Sequence, residues 1–224
     1  MEDLKMKLFK MLVLTSLFSA ATMKAAEIDF NNVSPGSDVE VKGLGKVEVV
    51  KVSEGDNAMR VKAKDSKSPK RATVNLHQYI GSSKKFNISF DVRTNNTYAA
   101  GSPVGLAFFN PNKSAFSIVS PPGSGKLYAM DYSKSKAVKK TVCEMKSNKW
   151  YNFSMNIDKT KNLIEIEVKE KSSNLSVFSG KFTTNKDNEI FMLVIDTWPG
   201  QGMYYYDIDN LKINLIKGEE EKGK

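Results

Sequence analysis

Cysteine is nearly absent from this sequence. Cys143, in "KKTVCEM", is the only one among 224 residues, so no intrachain disulfide can form and the apolar core must supply the stability. Histidine is as scarce. His77 stands alone, which excludes a zinc site built from several Cys and His ligands and confines any Ser-His-Asp or Cys-His arrangement to that one residue. Arginine occurs only at positions 60, 71 and 93, although Lys and Arg together number 34 and the formal net charge is +9. A lysine excess without the planar arginine fork favours loose attraction to anionic surfaces or polysaccharides over tight, two-pronged grip on phosphate. No apolar run approaches the roughly 20 residues that span a bilayer.

The first 26 residues read as a leader. "MKLFKMLVLTSLFSAATMKA" has a lysine-bearing start, an apolar stretch from Met11 to Phe18 and then small residues, the pattern of a secretory signal peptide. Ser19-Ala20-Ala21 suits signal peptidase best, and cleavage between 21 and 26 is expected. Lys5, Lys7, Lys10 and Lys24 against Glu2 and Asp3 carry a net +2, which leaves +7 for the exported chain. Residues 27–216 are then one domain, and "KGEEEKGK" (217–224), charge without apolar anchors, is expected to be a disordered tail. Export argues against nucleic acid as a partner.

What remains alternates. Nearly every segment reads as strand, with apolar residues alternating in "KVEVVKV", "AMRVKA", "ATVNLH", "KFNISFDV", "KLYAMDY", "WYNFSMNID" and "LIEIEV", "IFMLVID" following later, and Gly, Pro, Asn, Asp or Ser between the segments. About fourteen short strands are expected, and no window holds helical spacing over three turns. In "WYNFSMNID" the core set is Tyr151, Phe153, Met155 and Ile157, and "DKTKN" (158–162) turns this strand into "LIEIEV". His77 is expected on the strand "VNLHQY", and Cys143 as a small buried strand residue. Short strands at 10 to 15 residue spacing predict two packed antiparallel sheets, an all-β sandwich.

The closing stretch "YYYDIDNLKI" (204–213) does not alternate cleanly. Tyr204, Tyr206 and Ile208 have even parity, whereas Leu211, Ile213 and Leu215 have odd parity. A β-bulge at Asp209-Asn210 would absorb one residue and keep both apolar sets inward.

The order "EIDFNN", "NAMRVKA", "KFNISFDVR", "GKLYAMDY", "KWYNFSMNIDKTKNLIEIEV", "YYYDIDNLKI" resembles the concanavalin A-like lectin and glucanase (LamG-like) jelly rolls found in exported bacterial proteins. Galactose-binding-type modules end in a similar strand, so both topologies stay open; the strand number favours the concanavalin A-like jelly roll. The resemblance implies carbohydrate binding or processing. Laminarinase-like members carry Glu-x-Asp-x-Glu or a bulged variant, because retaining hydrolysis needs two carboxylates about 5 to 5.5 Å apart. Here "EIDFNN" has Asn31 and Asn32 where the third acid belongs, and "EIEVKE" (Glu165, Glu167, Glu170) has Glu in the middle and flanking lysines.

The expected role is therefore non-catalytic carbohydrate binding or surface interaction, with a polysaccharide or glycan as partner, the lysine excess favouring an anionic one. A glycoside hydrolase or polysaccharide lyase on the same fold, and a structural envelope protein without a small ligand, are the alternatives. Sugar faces need aromatic planes with amide or carboxylate neighbours. "DTWPGQGMYYYD" offers Trp198, with Asp196, Gln201 and Tyr205 beside it, and Trp150 is a further candidate. No cofactor is required; the resemblance implies a candidate structural calcium site at Asp209 together with Asp29 and Asn31 of the first strand.

Overall fold

The computed structural model describes residues 26–41, 44–62, 70–96, 100–107, 114–132, 138–186, 189–198 and 204–216. The leader up to residue 25, the tail from 217 and Gln201 lie outside them. Fifteen strands and one short helix occur among the described residues. They are β1 (Ala26–Ile28), β2 (Gly36–Val41), β3 (Gly45–Ser53), β4 (Asp56–Lys62), β5 (Lys70–Asn75), α1 (His77–Ile80), β6 (Lys85–Thr94), β7 (Gly101–Ala107) and β8 (Ser114–Ser120). β9 (Tyr128–Asp131), β10 (Val138–Thr141), β11 (Trp150–Asp158), β12 (Leu163–Glu170), β13 (Leu175–Thr183), β14 (Met192–Thr197) and β15 (Tyr205–Leu215) complete the chain.

These strands form two antiparallel sheets, the all-β sandwich expected from their spacing. The larger runs β13-β12-β11-β6-β15-β4-β3-β2, with β1 added on β15; the smaller runs β10-β9-β8-β7-β14-β5. Period-two alternation decides what lies between them. Phe86, Ile88, Phe90 and Val92 of β6 and Tyr151, Phe153, Met155 and Ile157 of β11 are all at most 2% exposed. Phe90 stacks on Phe153 with centroids 5.8 Å apart, and Phe116 of the smaller sheet meets Phe182 of the larger at 5.6 Å. Each such side chain contributes about 1.5–3 kcal/mol by leaving water.

β11 and β12 form the expected hairpin, with Ile164, Ile166 and Val168 inward. Asp158 Oδ1 accepts the N–H groups of Thr160 (2.9 Å) and Lys161 (3.2 Å), and Asn162 takes a positive φ of 50°. Among the described residues, the non-glycine positions with positive φ are Asn148, Asn162, Asn174 and Asn210, all asparagine, the residue that best tolerates the left-handed region after glycine. One glycine is required by space. A Cβ on Gly101, at φ 146°, would sit 2.3 Å from the Asp196 carbonyl oxygen.

The bulge in β15 is where parity placed it. Its pairing with β6 shifts register between Asp209 and Lys212, and Asn210 has φ 51°. Tyr206, Ile208, Leu211 and Ile213 consequently all face the core. On its other edge β15 changes neighbour at this point, from β4 (residues 205–208) to β1 (residues 211–213). The two ends of the described chain meet here, joined by pairs such as Ile28 with Leu211.

Two local expectations fail. His77 is not a strand residue: β5 ends at Asn75, whose side-chain oxygen accepts the His77 N–H at 3.1 Å and turns the chain into α1. Cys143 is buried as expected but lies beyond the end of β10, its carbonyl accepting from Leu127 N–H at 2.7 Å. Burial pushes its thiol up to about 12.

Candidate functional site

The outer face of the larger sheet carries a layered polar cluster at the end where β6 stops and β11 begins. Trp150 of β11 stands opposite Arg93 of β6, Arg93 opposite Asp207 of β15, and Asp207 opposite Arg60 of β4. Alternation puts all four side chains on the face away from the core. Asp207 Oδ1 accepts from Arg60 Nε at 2.7 Å, and its Oδ2 accepts from Arg60 Nη2 at 2.9 Å and Arg93 Nη2 at 2.6 Å. Although it points outward, Asp207 is 0% exposed.

Two aromatic rings flank this ion cluster. The Arg60 guanidinium lies 3.6 Å from the Tyr205 ring centroid, and that of Arg93 lies 4.9 Å from the Trp150 ring. Burial alone would lower the Arg60 pKa, but its hydrogen bond and charge pairing with Asp207 outweigh burial and raise it. Trp150 and Tyr205 remain partly exposed. Two strands and two residues separate them, about 12 Å between Cα positions at ordinary sheet spacing.

One step along the strands lies a second row. Asp91 of β6 pairs with both Asn152 and Asp209. Asp91 Oδ1 accepts from Asn152 Nδ2 at 2.8 Å, and its Oδ2 accepts from Lys171 Nζ and from Asn210 Nδ2 at 2.9 Å. Asp209 accepts the Asn210 N–H on Oδ1 at 2.7 Å and Asn210 Nδ2 on Oδ2 at 2.9 Å. One amide nitrogen thus bridges the two carboxylates, which lie within two hydrogen-bond lengths of each other. Burial, reinforced by the neighbouring charges of Asp56 and Asp91, pushes the Asp209 carboxyl up to about 6, against the Asn210 amide and Lys171.

A close carboxylate pair with one raised pKa is the arrangement an acid–base hydrolase uses. Here both residues are below 5% exposed and all four oxygens already accept hydrogen bonds within the sheet. The pair therefore acts as a clasp at the bulge. The other carboxylates considered from sequence are also engaged: Glu165 with Lys181, and Glu167 with Lys169 at 3.0 Å. Glu170 accepts from Ser172 Oγ at 2.8 Å.

The five candidate sugar-contact residues are not one cluster. Trp150 and Tyr205 share the outer face just described. Asp196 belongs to β14 in the smaller sheet and is 7% exposed, its carboxylate accepting from Ser102 N–H at 2.9 Å and Arg71 Nη2 at 3.2 Å. Trp198 directly follows β14, partly exposed, with its N–H donating to the Ala100 carbonyl at 3.1 Å. Gln201 falls outside the described residues.

For calcium, the pairing of β1 with β15 brings Asp29, Asn31 and Asp209 to the same seam. Their oxygens are turned to internal donors: Asp29 Oδ1 to Asn31 N–H (3.0 Å), Asn31 Oδ1 to Asn57 N–H (2.7 Å), and Asp209 to Asn210. Calcium takes six to eight oxygens. Among the described residues no group of three His, Cys, Asp or Glu side chains is placed to hold a metal ion.

Arg60, Arg93, Asp207, Asp91, Asn152 and Lys171 were not singled out from the sequence. The usable signal was parity, since Tyr205, Asp207 and Asp209 share one face of β15, as do Asp91 and Arg93 on β6. No helix among the described residues is long and apolar enough to cross a membrane.

No family model matches this chain, and no curated protein matches it by sequence. Solved structures do match in fold. Lectin II from Ulex europaeus superposes with a TM-score of 0.56 at 12% identity over 85% of this chain and 97% of that one. Alginate lyase AlyC3 gives 0.51 at 12% identity, covering 85% and 89%. A sialidase gives 0.61 at 15% identity over 87% of this chain, which spans only 19% of the sialidase. At these identities the likeness is one of fold, and the fold is the concanavalin A-like jelly roll.

Proposed function

We propose that this chain is an exported, non-catalytic carbohydrate-binding protein whose contact surface is the Trp150–Tyr205 face of the larger sheet. The observation that carries this reading is the pair of partly exposed rings held over Arg93 and Arg60, with Asp207 locking both guanidinium groups. A sugar ring presents a C–H patch to an aromatic plane and hydroxyls to polar neighbours. Rings fixed by cation–π and ion-pair contacts lose little freedom when a ligand arrives, which favours binding by preorganisation. The likeness to lectin folds supports carbohydrate as the ligand class to test first, and Trp198, at the same end of the sandwich through its link to Ala100, would extend the surface.

The test is a glycan array run beside reducing-sugar release on the same polysaccharides. Trp150→Ala and Tyr205→Ala should each weaken binding about tenfold or more, from the roughly 1.5–3 kcal/mol that a covered aromatic ring contributes. Binding untouched by both substitutions removes this face. Sugar release by the unmodified protein overturns the non-catalytic reading.

A further inference from the structure

The end of the sandwich opposite Trp150 holds a pocket of about 380 Å³, within the usual range for small-ligand sites. Three chain segments build it: α1 with the turn that follows it up to Lys84, the β11–β12 hairpin, and the connection from β13 to β14. Backbone bonds tie these walls together. Lys159 N–H donates to the Lys84 carbonyl and Thr184 N–H to the Asn162 carbonyl, both at 2.8 Å, and Leu76 N–H donates to the Phe191 carbonyl at 2.7 Å.

The lining is lopsided in charge. Lys84, Lys159 and Lys186 converge on it against a single acid, Glu189. Among the described residues none of these three ammonium groups forms an ion pair, whereas lysines elsewhere on the surface, such as Lys85 with Asp158 and Lys212 with Glu27, do. The Lys159 pKa is lowered, first by burial and then by the nearby Lys84, with Glu189 pulling the other way. A half-buried ammonium held beside a second cation is stabilised by an incoming anion.

The pocket also has an apolar plane and neutral hydrogen-bonding groups. The Phe191 ring packs edge-on against His77 with centroids 5.2 Å apart, and Lys159 Nζ lies 5.2 Å from the Phe191 centroid. Asn162 and Thr184 stand on the same wall. A bare inorganic anion would use the lysines alone. A charged sugar would use all three features: its carboxylate or sulfate against Lys84 and Lys159, its C–H face on Phe191, and its hydroxyls toward Asn162 and Thr184.

We infer that this end pocket is a second binding site, selective for an acidic saccharide unit such as a uronate of an anionic polysaccharide. It rests on the proposed carbohydrate function only for the choice of a sugar over a simple anion. The site lies at the opposite end from Trp150, so a long anionic chain could contact the molecule at two places.

The experiment is an amide NMR titration of the full chain at low ionic strength with glucuronate, glucose and inorganic sulfate. Glucuronate should shift the amides of Lys159, Thr184 and Phe191, and the double change Lys84→Gln/Lys159→Gln should weaken it about tenfold or more. Glu189→Gln should tighten it several-fold, and raising salt should weaken it through screening. Trp150→Ala should leave this titration unchanged, which separates failure here from failure of the outer-face reading. Equal binding of glucose, or no response to the double lysine change, overturns the site. Sulfate binding as tightly as glucuronate overturns the sugar assignment.

Discussion

Asp209 should make this protein less stable as the medium becomes neutral, and Asp209→Asn should reverse that. Its carboxyl is held up to about 6 by burial at the bulge and by the charges of Asp56 and Asp91, against about 3.9 in an unfolded chain. The folded state therefore keeps a proton that the unfolded state releases. Below about 3.9 both states are protonated and the group exerts no penalty. As pH rises from there to 6, the unfolded chain binds fewer protons than the folded one and stability falls, by about 1.4 kcal/mol per unit and about 3 kcal/mol in total. Above 6 the loss is complete and constant.

Asparagine at 209 preserves an oxygen for the Asn210 N–H but cannot ionise. Urea unfolding of both proteins between pH 3.5 and 8 gives the difference in stability, in which other titrating groups largely cancel. That difference should move in favour of the variant by about 3 kcal/mol across the window, a midpoint change on the order of 1.5 M urea for a slope near 2 kcal/mol per M. A difference that stays flat with pH refutes the raised pKa. A difference that moves in favour of the unmodified protein as pH rises would mean that the Asp209 carboxylate is net stabilised in the fold, and the clasp would have to be redrawn.

Other consequences follow from the same buried groups. Asp207→Ala leaves the guanidinium groups of Arg60 and Arg93 facing each other without their shared acceptor, and should cost about 3–5 kcal/mol in urea unfolding; a loss below 1 kcal/mol would show that solvent already screens the cluster. Cys143, buried with its thiol pushed up to about 12, should react with iodoacetamide at pH 8 at least about a thousandfold more slowly in the native protein than in urea. Rapid native labelling, followed by mass spectrometry, would contradict that burial.

Much of the fold could be read locally. Alternation in "WYNFSMNID" and "LIEIEV" identified the core faces of β11 and β12, because side-chain period depends only on neighbouring residues. The parity change in "YYYDIDNLKI" located the bulge for the same reason. His77 lies off the expected strand because one hydrogen bond from its N–H to the Asn75 side-chain oxygen is enough to end a strand and begin a turn of helix, a balance that alternation does not register. The candidate site was legible only in pieces. Trp198 was the expected stacking ring, with Asp196 and Tyr205 as hydroxyl-binding neighbours and Trp150 as a further candidate, but Asp196 is turned into bonds with Arg71 and Ser102, and Tyr205 shares a face with Trp150.

The sequence by itself determined an all-β chain, the inward sets of β11 and β12, the absence of intrachain disulfides and the position of the kink in the last strand. All of these depend on residue chemistry within a few positions. Only the tertiary structure decided which strands became neighbours, and so which polar residues met. Arg60 and Arg93 reach Asp207 across 147 and 114 residues of chain, and Lys84, Lys159 and Lys186 come together from three separate segments. Such meetings depend on sheet order and register, which long loops leave free and only the closing of the whole sandwich selects.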